Sequence, residues 1–301
     1  MQIVATENTI YTSPDASKIF CYTPSILVTP TGRLIVSFDL GGEGVKSIEG
    51  HKSSRAGGSR FGQGKIFISD DNGQKWTFVQ NFPFWHARLF TIGNSIYLIG
   101  HAGDICIMKS EDNGESWSDT YFLTYGEKWH SSACNVLFSN GNVYLAMEQR
   151  CRLNEVTGWD VAGLSPMLFR ACVEDNLCLA SSWSRSEKFI YKEVFDGAKL
   201  DFFGIPFYDC ETNKPKEIAT GINNAPLGWL EANVVKFVDK DHIWHTDLKE
   251  VFHLFLRAHT GGVNYAHLFK IEIQDDQSMI PSLEHTPSGQ KISYIPFPGG
   301  H

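Results

Sequence analysis

A motif with the pattern Ser-x-Asp-x-Gly-x-x-Trp occurs twice in this 301-residue chain. Its two serines stand 41 residues apart, which matches one blade of a β-propeller, since familiar propeller repeats are about 40 to 50 residues long. Asp can hydrogen-bond to the backbone of a turn, Gly accepts a positive φ, and Trp can pack the turn onto a sheet. The motif therefore predicts a structural turn between two strands, repeated in successive blades. Its residues are Ser69, Asp71, Gly73 and Trp76 in the first copy and Ser110, Asp112, Gly114 and Trp117 in the second.

Short runs of β-branched and aromatic residues, joined by turns rich in Gly, Asn and Asp, dominate the sequence. Such runs predict antiparallel hairpins, whereas no segment shows the sustained 3.6-residue periodicity and capping residues of a helix. The predicted fold class is all-β, a propeller of four-stranded antiparallel blades, with four blades and part of a fifth present. The predicted hairpins pair residues 22–28 with 33–38, 87–91 with 95–99, 133–138 with 143–147, and 232–237 with 251–256.

The charge and the hydrophobic pattern exclude several classes of function. Lys and Arg number 26 against 34 Asp and Glu, so the chain lacks the basic surface that neutralises the phosphates of a nucleic acid. Its apolar runs are too short to span a bilayer, and residues 1–7 turn polar too soon for a signal peptide. We therefore expect a cytoplasmic protein with no nucleic-acid or membrane partner. The sequence leaves the oligomeric state open.

The cysteines, histidine pairs and glycine-rich segments indicate neither a metal nor a cofactor. Seven cysteines, none in a Cys-x-x-Cys pair, are typical of buried free thiols in a reducing compartment, and Cys134 is expected to be a structural thiol within a strand. His242 and His245 have ligand-like spacing but no third ligand nearby. The glycine-rich segments 41–44 and 57–64 precede no helix, so they do not predict a phosphate-binding loop. Residues 39–64 are instead expected to form a long mobile loop over a pocket mouth.

Polar and titratable residues recur at two corresponding places in the predicted hairpins, the entry of the first strand and the exit of the second. In a propeller these strands surround a central axis, and ligands bind where their ends converge. The residues at these places predict a polar pocket that suits an acidic sugar, with Glu231 and Arg257 facing each other across its mouth. They are Tyr22 and Asp39 in the first hairpin, His86 and His101 in the second, His130, Glu148 and Arg150 in the third, and Glu231, Arg257 and His259 in the fourth.

From about residue 22 to its end, the chain resembles the sialidase (neuraminidase) superfamily, and in particular the bacterial sialidase-like proteins with BNR repeats. The repeated Ser-x-Asp-x-Gly-x-x-Trp motif resembles the Asp-box of that superfamily, and residues 82–88, 129–136, 228–235 and 256–262 have a similar character. The resemblance implies that residues 1–301 form a single sialidase-type β-propeller domain with a carbohydrate as its substrate or ligand.

The resemblance also implies roles for individual residues. Sialidases hold the carboxylate of the substrate with three arginines and use a Tyr nucleophile assisted by a Glu, together with an Asp acid/base. Glu231, which precedes a Val-Val strand, matches the assisting base, and Arg257 matches the second carboxylate-binding arginine. Asp39 is the candidate acid, with Glu43 and Glu49 as alternatives. The other residues expected to bind the substrate are His86, His101, His130, Tyr22, Arg150 and His259.

The chain also departs from the family's pattern. The first arginine of the family stands before an Ile-Pro pair, and the segment Tyr22-Thr23-Pro24 occupies that place here. The nucleophilic Tyr and the third arginine belong to later blades, whereas this chain ends at His301 in what resembles the middle of a blade. We therefore expect an incomplete ring, whose open strand edge invites pairing with another chain.

Three functions remain open at this point. The first is hydrolysis of a glycoside in the manner of a sialidase. The second is that of a polysaccharide lyase, in which His86, His101 or His130 acts with a Tyr to remove the proton beside a uronate carboxylate, a step that needs a base near neutral pH. The third is carbohydrate binding without catalysis. One fold serves many functions, so the fold alone does not separate the three.

Overall fold

The computed structural model consists almost entirely of antiparallel β-strands. It describes residues 7–54, 61–131, 134–151, 164–190, 208–209, 214–215, 228–236, 251–259, 264–285, 291–292 and 295–296. Within these ranges the helical segments are two short 3₁₀ turns, Glu43–Ser47 and Ala180–Ser182. No helix of the described part is long and apolar enough to cross a membrane. The prediction of an all-β fold is confirmed.

The chain divides into two compact units. The first is formed by residues 1–127 and 178–180, and the second by residues 128–177 and 181–301. In the described ranges each unit contains two antiparallel sheets with four main strands, which we call blades and number in chain order.

Blades 1 and 2 form the first unit. In blade 1 the strands lie in the order β1-β2-β4-β5, with β3 paired to the far end of β4, and in blade 2 the order is β6-β7-β8-β9. The strands of blade 1 are β1 (Phe20–Val28), β2 (Leu34–Gly41), β3 (Ser53–Ser54), β4 (Phe61–Ser69) and β5 (Thr77–Phe82). Those of blade 2 are β6 (Trp85–Ile92), β7 (Ser95–Ala102), β8 (Asp104–Ser110) and β9 (Tyr121–Phe122).

Blades 3 and 4 form the second unit. Blade 3 consists of β10 (Trp129–His130), β11 (Val136–Ser139), β12 (Asn142–Arg150), β13 (Leu164–Cys172) and β14 (Trp183–Arg185), and both β10 and β11 pair with β12. A short ribbon of β15 (Tyr208–Asp209) and β16 (Lys214–Pro215) follows. Blade 4 consists of β17 (Gly228–Val235), β18 (Val251–His259), β19 (Asn264–Ile273) and β20 (Met279–His285), extended by β21 (Lys291–Ile292) and β22 (Ile295–Pro296).

The second strand of a blade is buried on both of its faces. In β2 every residue after Leu34 is buried, and in β12 every residue between Asn142 and Arg150 is buried. A strand that is covered on both faces reads in the sequence as a nearly continuous apolar run, without the alternation of a half-exposed strand. The resulting cores include Ile35, Ile66, Phe82 and Leu98 in the first unit and Tyr144, Leu168, Trp229 and Phe252 in the second.

The two Ser-x-Asp-x-Gly-x-x-Trp motifs form the same turn. Each connects the two outer strands of a blade, β4 to β5 and β8 to β9. In the first copy Ser69 Oγ donates to Asp71 Oδ1 and accepts the Gly73 N–H, both at 2.9 Å, and Trp76 Nε1 donates to the Gly73 carbonyl at 3.0 Å. The second copy repeats the serine bonds at 2.9 Å. Both motif glycines have a left-handed φ, 82° and 87°, as the turn requires.

Two expectations about loops and thiols are corrected. Residues 39–64 are not one mobile loop, because β2 continues to Gly41 and the following 3₁₀ turn buries Val45 in the core of blade 1. Cys134 precedes β11 instead of lying within a strand, and it is only half-buried. The described cysteines are free thiols, as predicted, but only Cys106 and Cys178 are fully buried.

Candidate functional site

The first strand of three blades breaks its register with the second strand at the same place. The breaks lie between Tyr22 and Ser25 in β1, between Trp85 and Arg88 in β6, and between Leu230 and Asn233 in β17. The first residue inside each break has a left-handed backbone. These residues are Thr23 with φ 48°, His86 with φ 52° and Glu231 with φ 60°. A β-bulge of this kind redirects a side chain, and bulges are frequent beside active sites.

The strand register also places four of the predicted residues at one equivalent position. Each lies on the second strand of its blade, opposite the residue that precedes the bulge or, in blade 3, opposite His130. The four pairs are Tyr22 with Asp39, Trp85 with His101, His130 with Glu148, and Leu230 with Arg257. The entry and exit positions chosen from the sequence thus correspond to a structural repeat.

In the first unit this position carries a cluster of one carboxylate and two imidazoles. Asp39 is completely buried, and its Oδ1 accepts the backbone N–H of His86 at 3.1 Å. His101 is also buried, and its Nε2 lies 3.3 Å from Nδ1 of His86, so one ring donates and the other accepts. The two imidazoles thus form a hydrogen-bonded pair next to the bulge of β6.

The first unit also contains an apolar groove. It has a volume of about 380 Å³ and is lined by Tyr11, Tyr22, Cys21, Phe38 and others. Burial, assisted by the negative charge of Asp39, raises the pKa of the Cys21 thiol and keeps it protonated at neutral pH. Burial also raises the pKa of Tyr11. Tyr22 is the predicted site residue that lines this groove, and the polar pocket stays a prediction.

In the second unit the equivalent carboxylate belongs to Glu148, which is completely buried. Its Oε1 accepts the backbone N–H of Ala232 at 3.0 Å, and its Oε2 lies 3.1 Å from Nδ1 of His130. Ala232 is the residue after Glu231 in the bulge of β17. The carboxylate of blade 3 therefore reaches the bulge of blade 4 and at the same time orients an imidazole.

Asn135 reinforces the same bulge, and the sequence analysis did not identify it. Its side-chain Nδ2 donates to the carbonyl of Val234, and its Oδ1 accepts the N–H of Val234 at 2.9 Å. Its own backbone N–H donates to Oδ1 of Asn233 at 3.2 Å. The amide side chain thus imitates a neighbouring strand immediately after the bulge. Asn135 is exposed, so burial gave no signal for it, and its partners lie 98 and 99 residues away in the chain.

Glu231 and Arg257 lie on neighbouring strands of blade 4, as the fourth predicted hairpin requires, and Arg257 pairs with the residue before Glu231. That their side chains face each other across the mouth of a channel stays a prediction. Glu231 is half-buried. His259 ends β18, and Arg150 ends β12 with its N–H donating to the Lys128 carbonyl at 2.6 Å.

The described residues contain no group of three or more His, Cys, Asp and Glu side chains that could hold a metal ion. The sequence pair His242 and His245 lies outside the described residues.

Comparisons with known proteins give a fold but no family. Protein-family models give no match, and the sequences of curated proteins give none either. Among solved structures, an α-L-arabinofuranosidase from Lactobacillus brevis is similar with a TM-score of 0.51 and 13% identity, over 90% of this chain and 80% of that one. A Dyadobacter fermentans protein of unknown function has a TM-score of 0.50 and 13% identity, over 91% and 70%. The K499G mutant of the NanB sialidase from Streptococcus pneumoniae has 0.49 and 10%, over 91% and 49%.

The blades and these similarities define the class of the protein. It is a β-propeller built from four-stranded antiparallel blades. The Lactobacillus brevis arabinofuranosidase is similar in fold, and an identity of 13% describes the fold and not the substrate.

Proposed function

We propose that this propeller is a sialidase-like glycoside hydrolase that acts on an acidic sugar or glycan. The observation that carries the proposal is the bulge of β17, which presents Glu231 in a left-handed conformation beside the strand position of Arg257. One blade then supplies both a carboxylate for proton transfer and a guanidinium for a substrate carboxylate. The Asp-box character of the two Ser-x-Asp-x-Gly-x-x-Trp turns supports the sialidase-like branch, and the similarity to an enzyme described as an arabinofuranosidase supports a carbohydrate substrate.

The proposed roles follow the chemistry of glycoside hydrolysis. The bond between the anomeric carbon and the leaving oxygen breaks, the leaving oxygen takes a proton from an acid, and a base removes a proton from the attacking nucleophile. Glu231 is the proposed base. Arg257 is the proposed anchor, since a guanidinium forms charge-assisted and often bidentate hydrogen bonds with a carboxylate. His130 and Arg150 are proposed to bind sugar hydroxyls, together with His259.

In the first unit Asp39 is the proposed acid, and His86, His101 and Tyr22 are proposed to bind the substrate. Asp39 is completely buried, and its Oδ1 accepts the backbone N–H of His86, so the proposed acid lies next to the first residue of the bulge in β6.

A polysaccharide lyase is the second candidate function, and the contact between His86 and His101 favours it. An imidazole held by a second imidazole is suited to remove a proton near neutral pH, and Tyr22 lies opposite Asp39 in the same cluster. The lyase differs from the hydrolase in its product, because elimination leaves an unsaturated uronate.

The deciding experiment measures turnover of a panel of fluorogenic glycosides, including a sialoside and an arabinofuranoside, and of uronate polysaccharides. We expect release of the fluorophore from an acidic glycoside and a loss of about 100-fold or more in kcat for Glu231→Gln. The control is Glu174→Gln, because Glu174 is an exposed glutamate in the outer turn of blade 3 of the same unit. Formation of an unsaturated product that absorbs in the ultraviolet would show that the protein is a lyase and not a hydrolase. Binding on a glycan array without turnover of any substrate would exclude both enzymatic functions.

A further inference from the structure

Two buried carboxylates of this protein hold backbone bulges of the following blade. Asp39 of blade 1 accepts the N–H of His86 in blade 2, and Glu148 of blade 3 accepts the N–H of Ala232 in blade 4. We propose that each of these carboxylates holds the backbone of a bulge in one conformation, a role that we call a clamp. We further propose that Glu148 is a positioning residue, which fixes the direction of the Glu231 side chain. The link to catalysis rests on the proposed function, whereas the clamp itself does not.

The bulge needs an acceptor that its own sheet does not provide. Between Leu230 and Asn233 the register of β17 with β18 is broken, so the ladder offers no regular partner there. Ala232 is only 1% exposed, and a buried backbone N–H must be hydrogen-bonded. The carboxylate of Glu148 meets this need with a charge-assisted bond, which is stronger than an ordinary ladder bond.

The left-handed backbone of Glu231 depends on this hydrogen bond from the neighbouring residue Ala232 to Glu148. A residue other than glycine at φ 60° is in an unfavourable region and keeps it only where the surroundings impose it. The clamp acts on the peptide that follows Glu231, so it restrains ψ of Glu231 directly. His130 holds the other oxygen of Glu148 at 3.1 Å and thereby fixes the orientation of the carboxylate.

The first unit contains the same kind of hydrogen bond between a buried carboxylate and a bulge, with the shorter side chain of Asp39. Asp39 contacts the N–H of His86, the first residue of the bulge in β6, whereas the longer Glu148 reaches the second residue of its bulge. Asp39 and Glu148 occupy equivalent positions on the second strands of their blades. Two separate units with the same relation between a carboxylate and a bulge indicate a repeated element of the fold.

Amide hydrogen exchange followed by mass spectrometry tests the clamps, with overlapping peptides that span residues 228–236 and 85–92. For Glu148→Ala we expect the Ala232 amide to exchange about tenfold faster or more, because a hydrogen bond to a charged group is lost, and residues 85–92 to remain unchanged. Asp39→Ala should give the converse result. Each variant is the control for the other. Unchanged exchange in 228–236, or an equal increase in both segments, overturns the proposal.

Two further measurements keep the test decisive. If Glu148→Ala does not fold, Glu148→Gln provides the test, since its amide oxygen can still accept the N–H of Ala232 but carries no charge. We then expect a smaller increase in the rate of amide exchange, confined to residues 228–236. Where a hydrolysed substrate has been found, Glu148→Ala should lower kcat by a larger factor than it raises KM, which changes because Glu148 also orients His130. Glu148→Gln should restore part of kcat. Local exchange as expected, with activity independent of Glu231, retains the clamp and removes only the catalytic assignment.

Discussion

Arg33 holds both carboxylate oxygens of Asp70. Its Nε lies 2.6 Å from Oδ1 and its Nη2 lies 2.9 Å from Oδ2, which is the bidentate geometry that a guanidinium and a carboxylate favour. The same guanidinium extends Nη1 to Glu115 Oε1 at 2.6 Å and to the Asn113 carbonyl. Arg33 therefore links the turn between β1 and β2 to the outer turns of blades 1 and 2. Its hydrogen bonds to Asp70 and Glu115 raise the pKa of the guanidinium above its ordinary value.

This arrangement predicts that Arg33→Ala destabilises the protein more than the loss of an ordinary surface ion pair. We expect a decrease of about 1–2 kcal/mol in the free energy of unfolding, because several charged hydrogen bonds are lost together on a partly exposed surface. Arg33→Lys should recover only part of it, since an ammonium group lacks the planar fork. Urea denaturation measures the changes.

The control for Arg33 is Lys109→Ala, which removes one ion pair with the exposed Glu111 and a contact of the ammonium group with the Tyr97 ring at 5.9 Å. We expect it to lower the free energy of unfolding by about 0.5–1 kcal/mol, less than Arg33→Ala does. The excess cost of the Arg33 variants should also shrink at high salt, because the exposed carboxylates are screened. Equal costs for the two alanine variants would contradict the role of Arg33 as a link between turns.

Asp71 gives the first Ser-x-Asp-x-Gly-x-x-Trp turn a predictable pH dependence. The backbone N–H of Lys75 donates to Asp71 Oδ1 at 2.8 Å, and this bond, together with that from Ser69, lowers the pKa of the carboxyl below its ordinary value of 3.8. A carboxyl with a lower pKa in the folded state adds stability above its unfolded pKa. The contribution is lost as the pH falls through the folded value.

The expected result is that Asp71→Asn is less stable than the unsubstituted protein at pH 7 and that this difference decreases below about pH 4. Urea midpoints at pH 7 and at pH 3 provide the measurement. Asp175→Asn, an exposed aspartate in the outer turn of blade 3, is the control and should show a much smaller change. A difference that grows on acidification would have the wrong sign for this mechanism.

The close approach of Gly64 to Phe82 predicts a large effect for a single methyl group. A Cβ atom at Gly64 would lie 1.9 Å from the Phe82 ring, which packs against Phe84 with ring centroids 4.7 Å apart. Gly64→Ala should therefore cost about 3 kcal/mol through overpacking. Gly93→Ala, in an open turn with φ 57°, should cost only about 1 kcal/mol through its left-handed backbone. Thermal or urea unfolding of both variants tests the ranking, and a reversed order would show that Phe82 moves aside freely.

The hairpins were predictable from the sequence because their information is local. An apolar run, a turn with Gly or Asn and a second apolar run specify two paired strands, as at residues 87–91 and 95–99, and the structure confirms each of the four predicted hairpins in its described part. The Ser-x-Asp-x-Gly-x-x-Trp turns were predictable for the same reason, since the serine and aspartate hydrogen bonds that shape each turn fall within its eight residues.

The contacts that shape the candidate site were not predictable in this way. Glu148 could be placed at the exit of its strand, but its acceptor role depends on Ala232, 84 residues further along the chain. Arg33 likewise meets partners 37 and 82 residues away. Such contacts depend on how one blade packs on the next, and a single sequence without paired variation contains no local signal for them.

Asp39 also influences a nearby thiol, which offers a test that needs no substrate. Burial raises the pKa of Cys21 first, the charge of Asp39 raises it further, and Lys65 acts in the opposite direction. Because the thiolate is the reactive form, Asp39→Asn should increase the rate of Cys21 alkylation at pH 8, and Lys65→Met should decrease it. Mass spectrometry of the peptide that contains Cys21 measures both rates. Alkylation that is independent of both substitutions would show that neither charge affects the thiol.

Asp39→Asn and Asp39→Ala together separate the two roles proposed for this carboxylate. An asparagine can still accept the His86 N–H through its amide oxygen, but it cannot supply a proton as a carboxylic acid does. If Asp39 is the acid, Asp39→Asn should lower kcat by about 100-fold or more while exchange in residues 85–92 stays close to that of the unsubstituted protein. Activity that survives in Asp39→Asn and disappears in Asp39→Ala would assign Asp39 to the clamp alone. In that case the acid must be sought elsewhere, and Glu43 and Glu49, the other carboxylates considered for this role, are the next residues to substitute.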